Sequence, residues 1–213
     1  MNSLTIPISR CAKIGWYESF NRHRSLCNKI NNKNDLILIG DSIIANFNQF
    51  DDVFNRYFKG HNTLNLGVGG DKIQNVLWRV SNLDFPPSLR YIVIQAGTNN
   101  LLHNSPLSIA DGLVNIAMVI KSKYENVKII ISSLLPRDEK PTEKRSHVYI
   151  VNDYLKKECY NNNIGFIDLE PGWTNGNFLD MNLFKRDHLH LTKNGYIKLA
   201  KLFIKEISNQ KSH

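Results

Sequence analysis

The feature that most constrains this chain is a series of short aliphatic runs, each closed by glycine or polar residues and separated by stretches with helical periodicity. Leu36-Ile37-Leu38-Ile39, bounded by Asn34-Asp35 and by Gly40, is the first of them. A run of this kind reads as a buried parallel strand, because strands covered on both faces show no polar alternation. The same pattern predicts strands over residues 63–66, 91–95, 127–132 and 164–169. Ile73, Val76, Leu77 and Val80 recur at i, i+3, i+4 and i+7 and mark a helix from about 72 to 81. Further helices are expected near 42–57, 107–124, with Pro106 suited to its first turn, 146–160 and 193–207. A leading helix within about 14–30 carries Trp16, Phe20, Leu26 and Ile30.

Strands separated by helices of this length are βαβ units with right-handed crossovers. The expected fold is therefore α/β: a three-layer α/β/α sandwich around a five-stranded parallel sheet in flavodoxin-like order. At 213 residues, with no repeat or proline-rich linker, one domain over 1–213 is the simplest account, its core at about 35–208.

Composition narrows the function classes. A net charge of +8 could attract a polyanion, but the basic residues are scattered. Those near the end (Lys198, Lys201, Lys205) fall opposite Leu199, Leu202 and Phe203, as on a solvated helix face. No nucleic-acid partner is expected. Three cysteines (Cys11, Cys27, Cys159), with no metal-type spacing, point to thiols in a reducing compartment. The brief apolar stretch Leu4 to Ile8 does not match a signal-peptide core, and no segment approaches a membrane span. A cytoplasmic location is expected. With no Cys/His cluster and no lysine-bearing glycine loop, neither a metal nor any other cofactor is expected.

In a parallel sheet, the loops after the strands emerge on one rim, which is where ligands bind. Here they hold Ser42, then Gly69-Gly70-Asp71, then Gly97-Thr98-Asn99, and, before the last helix, Asp187-His188-Leu189-His190. A serine hydroxyl becomes a nucleophile only with a base in reach, itself oriented by a third group. His190 can take the proton from Ser42 while Asp187, three residues earlier, fixes the imidazole. The backbone N–H groups of Ser42 and Gly70 and the side-chain amide of Asn99 can stabilise the oxyanion of an attacked acyl group. Each piece taken alone has a blander explanation: Ser42 as a helix cap, Gly70 as a tight turn, Asn99 as a turn residue, Asp187 and His190 as a surface pair. Their convergence on one rim is what favours chemistry. His188 is read as a rim or surface residue, and Trp78 and Arg79 as packing and a structural ion pair.

Gly40-Asp41-Ser42, Gly69-Gly70-Asp71, Gly97-Thr98-Asn99-Asn100 and Asp187-x-x-His190 resemble, in order and context, the four blocks of the SGNH, or GDSL-like, hydrolases. Within that superfamily the chain looks most like the catalytic subunits of intracellular, brain-type platelet-activating-factor acetylhydrolase and their bacterial relatives. The signs are Asn65-Leu66-Gly67-Val68-Gly69-Gly70-Asp71, Val76-Leu77-Trp78-Arg79, Leu134-Leu135-Pro136-Arg137 with Glu139-Lys140-Pro141, and Leu189-His190-Leu191-Thr192 with Gly195-Tyr196. The resemblance implies Ser42 as nucleophile, Gly70 and Asn99 as oxyanion donors, and Asp187 with His190 completing the triad. It also implies a small acyl pocket at Ile43, Thr98 and Leu189 that favours acetyl esters, although Ile43 and Leu189 read equally well as core residues. A homodimer and a regulatory β-propeller partner are implied in the same way. Ile43 departs from the leucine or methionine usual in the family, and the loop over 81–89 is shorter. The expected function is a serine esterase acting on short acyl esters such as acetylated phospholipids. The alternatives are a carbohydrate O-acetylesterase, a lysophospholipase, or a non-catalytic scaffold subunit.

Overall fold

Side chains of β1 (Leu36–Gly40) alternate between two apolar layers, and every residue of the strand is buried. Ile37 and Ile39 join one core cluster and Leu36 and Leu38 the other. That is the signature of a strand covered on both faces, each fully buried aliphatic side chain contributing about 1.5–3 kcal/mol. The computed structural model describes residues 3–29 and 33–210. With β2 (Leu64–Gly67), β3 (Tyr91–Gln95), β4 (Lys128–Ser132) and β5 (Gly165–Ile167), β1 forms a five-stranded parallel sheet in the order β2-β1-β3-β4-β5. The expected flavodoxin-like order is the one observed.

One layer is built by α1 (Trp16–Cys27), α4 (Ile73–Asn82), α5 (Pro106–Lys123) and α6 (Glu143–Asn161), whose inner residues meet Ile37, Ile39, Ile92 and Ile94. The other holds α2 (Ser42–Ala45), α3 (Asp51–Phe58) and α7 (Lys193–Asn209), with Phe47, Phe58, Tyr196 and Phe203 against Leu38 and Val93. Ser105 and Thr142 cap α5 and α6 through their hydroxyls. Ile30, assigned above to the leading helix, lies outside the described residues. Among the described residues no helix is long and apolar enough to cross a membrane.

Three local expectations are corrected. The single helix over 42–57 is broken: α2 ends at Ala45, a 3-10 turn spans Asn46–Gln49, and Phe50 leaves helical geometry at φ −136° before α3. Asn65 on β2 fastens this break to the sheet, its amide donating to the Ile44 carbonyl at 2.9 Å and to Asn48 Oδ1 at 3.0 Å. The stretch before the last helix, read as loop, contains a hairpin of β6 (Thr174–Asn175) and β7 (Phe178–Leu179). Asn175-Gly176 at its turn is a recognisable hairpin signal. Lys198 is not simply solvated: its ammonium donates to the carbonyls of Pro171 and Gly172 and lies over the Trp173 ring.

The end of β1 is the tightest point of the sheet. A Cβ on Gly40 would come within 1.8 Å of the Gln95 carbonyl oxygen, so only glycine lets the chain pass there. The next two residues are Asp41 and Ser42.

Candidate active site

Ser42 opens α2, and Asp41 is the cap, its Oδ1 accepting from Ile43 N–H at 2.9 Å. As the first helical residue, Ser42 keeps a backbone N–H with no intrahelical acceptor. Its hydroxyl meets His190 Nε2 at 2.9 Å, and His190 Nδ1 meets Asp187 Oδ2 at 2.7 Å. Asp187 Oδ1 accepts the backbone N–H groups of His190 at 2.9 Å and Leu189 at 3.1 Å. An ionised carboxylate only accepts, so Nδ1 carries the proton and Nε2 is left to accept from the serine. Partial burial pushes the Asp187 carboxyl up, but the hydrogen bonds from His190 and from the two backbone N–H groups outweigh it and hold its pKa below the usual carboxylate range.

The loop carrying these residues is closed on itself. Lys185 N–H donates to His190 O at 2.7 Å, Thr192 N–H to Leu183 O at 2.9 Å, and Phe184 bridges to Leu191. His188 sits in it with φ +54°, its carbonyl accepting from Asp138 N–H at 2.9 Å. It takes no part in the Ser42–His190–Asp187 chain, in keeping with a rim position. From α7, Tyr196 Oη donates to the Ile43 carbonyl at 2.9 Å and so ties the final helix to the residue after the serine.

The loops after β2 and β3 flank Ser42, because Gly40 pairs with Gly67 on one side and Gln95 on the other. Gly70 has φ +76°, a conformation that favours glycine. The Asn99 amide donates to Asp71 O at 2.9 Å, which fixes the carboxamide and leaves one of its two N–H donors for another acceptor. Asn100 locks the same loop by accepting from Ile73 N–H at 3.0 Å. Asp71 is fully buried, bound by Arg79 Nε at 2.8 Å and Trp16 Nε1 at 2.8 Å. Arg79 also donates to Leu66 O at 2.6 Å and Gly40 O at 2.8 Å, so one guanidinium fastens β1, β2 and the glycine loop together. The expected packing of Trp78 and the Arg79 ion pair are both present.

The three residues expected to line an acyl pocket are differently placed. Ile43 is buried in the core cluster beneath α2, and Leu189 is half-buried. Thr98 is buried, with Oγ1 and O accepting from Arg137 Nη1 at 3.1 and 3.2 Å. The position of Arg137 is set by Arg145, whose buried guanidinium donates to the carbonyls of Arg137, Asp138 and Asn177. Neither arginine stands out in the sequence as a site residue: the Leu134-Leu135-Pro136-Arg137 motif marks the first, and nothing local marks Arg145. Burial, against the opposing Ile43 N–H bond, raises the Asp41 carboxyl to about 7; Asp71 adds to the rise, while Arg79 and Arg137 pull it back.

The fold and this serine–histidine–aspartate chain define a hydrolase of the GDSL-like type, and comparison with known proteins agrees. The chain belongs to the GDSL-like lipase/acylhydrolase family, whose model matches residues 38–197. It is 32% identical over 190 residues to a rat protein named platelet-activating factor acetylhydrolase IB subunit alpha2, covering 87% of this chain and 80% of that one. A GDSL-like lipase from Bacteroides thetaiotaomicron superposes with TM-score 0.76 at 20% identity, over 93% of this chain and 100% of the other. A carbohydrate acetylesterase from Sinorhizobium meliloti shares the fold with TM-score 0.64 at 12% identity, over 84% and 100%.

Proposed function

We propose that this chain is a serine esterase that removes short acyl groups, acetyl above all, through an acyl-enzyme on Ser42. The observation that carries the reading is the hydrogen-bonded run from Ser42 Oγ through His190 to Asp187, at 2.9 and 2.7 Å. In the first step Ser42 Oγ attacks the acyl carbonyl and its proton passes to His190 Nε2, with Asp187 stabilising the imidazolium. The oxyanion is held by the N–H groups of Ser42, Gly70 and Asn99. Collapse expels the alcohol, which takes the proton from His190, and a water molecule then repeats the sequence to release the acid. Ile43, Thr98 and Leu189 bound the acyl group. Likeness to the rat acetylhydrolase subunit makes a platelet-activating-factor-like acetyl phospholipid the first substrate to try. The thiol content is consistent with work in the cytoplasm.

The test is hydrolysis of p-nitrophenyl esters from acetate to octanoate, with Ser42→Ala as control. Turnover on acetate that falls steeply with chain length and is lost, by about 10⁴-fold or more, in Ser42→Ala is expected. Wild-type turnover in Ser42→Ala would overturn the mechanism.

A further inference from the structure

Residues 4–15 form a strap that ends beside the glycine loop. Leu4 is fully buried, and a Cβ built on Gly112 of α5 would lie 3.1 Å from its Cβ. Ile8 is pinned to α4 twice, its N–H donating to Gln74 O at 3.0 Å and its carbonyl accepting from Asn75 Nδ2 at 2.9 Å. The chain then turns, with Lys13 N–H donating to Arg10 O at 2.8 Å and Trp16 N–H to Lys13 O at 3.1 Å. This turn presents two cations to one spot: Lys13 Nζ donates to Gly69 O at 2.6 Å and Arg10 Nη1 approaches it at 3.4 Å. The position a Cβ would take on Gly70 lies 3.2 Å from Arg10 Nη1 and 3.6 Å from Lys13 Nζ.

These charges are not neutralised. Arg10 approaches Asp71 Oδ1 at 3.5 Å, but Asp71 is already matched by Arg79, at 2.8 Å and fully buried. Among the described residues no other carboxylate lies within ion-pair distance of Arg10 or Lys13. Two net positive charges therefore border the glycine loop, partly exposed, and a guanidinium with five donors makes only long contacts there. Arg137, on the loop after β4 and bound to Thr98, is by contrast paired with Asp138 at 3.4 Å and adds no free charge.

We infer that Arg10 and Lys13 form a subsite for an anionic group, phosphate or carboxylate, carried on the ester substrate. The inference rests on the esterase reading and deepens it: the preferred substrate is an acyl ester bearing an anion. Binding makes charge-assisted hydrogen bonds to the two cations and breaks no covalent bond. The strap places this charge beside the reacting centre, while the scatter of basic residues elsewhere leaves the rest of the surface unselective.

The experiment compares two water-soluble esters that differ by one phosphate, 1-acetylglycerol and 1-acetylglycerol 3-phosphate, with acetate release as the readout. The double variant Arg10→Gln/Lys13→Gln should lower the ratio of kcat/KM for the phosphorylated over the neutral ester about tenfold, through KM. Lys13→Arg should keep the wild-type ratio. An unchanged ratio in the double variant overturns the substrate subsite, and sedimentation with phosphatidylglycerol and phosphatidylcholine vesicles then tells whether the cations serve a lipid surface instead. Titration of inorganic phosphate, followed by the fluorescence of the tryptophans including Trp16, is independent of turnover. Saturation lost in the double variant supports the anion site even if neither ester is hydrolysed, in which case it is the esterase reading that fails. No saturation in wild type, with an unchanged ester ratio, overturns the site.

Discussion

Ser42 and His190 lie 148 positions apart in the chain, and the 2.9 Å between their side chains depends on a third group that is easily tested. Asp187 accepts from His190 Nδ1, and an asparagine there would present N–H as readily as C=O, allowing the wrong imidazole tautomer. Asp187→Asn is expected to lower kcat for p-nitrophenyl acetate on the order of 10²- to 10⁴-fold while leaving KM within a few-fold, as steady-state kinetics would register. Asp41 makes a different prediction. Its folded pKa of about 7 stands above the ordinary carboxylate value, so the folded protein holds a proton that the unfolded chain has released. Its contribution to stability is full below about pH 4 and is lost as pH rises through 7. Asp41→Asn keeps an acceptor for Ile43 N–H and should gain stability relative to wild type progressively from pH 4 to 7, measured as Tm against pH. Buried His23, lowered to about 3 by desolvation and then by Arg79 and Arg22, acts with the opposite sign, favouring the fold at pH above its unfolded value. It acts in both proteins, so the difference between the two curves isolates Asp41.

At the scale of elements, the site depends on how strand ends are fastened. Arg79 on α4 donates to Gly40 O on β1 and Leu66 O on β2, and pairs with Asp71 on the glycine loop. Arg79→Met would strand a buried carboxylate, and a loss of about 3–5 kcal/mol in urea unfolding is expected. Asp71→Asn in the same background should recover part of it, because the uncompensated charge is gone. The helices were readable where periodicity was strong: α4 and α5 begin within a residue of their expected starts. The break after α2 was not, because the side chain that holds its end, Asn65, comes from another element. The β6–β7 hairpin carried a local signal, Asn175-Gly176, but its two-residue strands are too short to show alternation.

For the whole molecule, the parallel sheet brings the loops after β1, β2 and β3 to one rim, and the strand order puts β1 between the other two. That is why serine, glycine and asparagine from three separate segments stand together at the rim although each is marked only by its own loop. The aliphatic runs, the helical periods and the spacing of Asp187 and His190 are local patterns, and they determined the α/β class, the right-handed crossovers and the residues expected at the rim. What only the tertiary structure decided is who meets whom at close range. Arg10 and Lys13 reach a glycine loop more than fifty residues away, Arg137 closes on Thr98, and Tyr196 reaches back to Ile43. No spacing rule encodes such contacts. They arise when packed layers bring surfaces together, and the side chains involved are ordinary polar residues until a partner is put beside them.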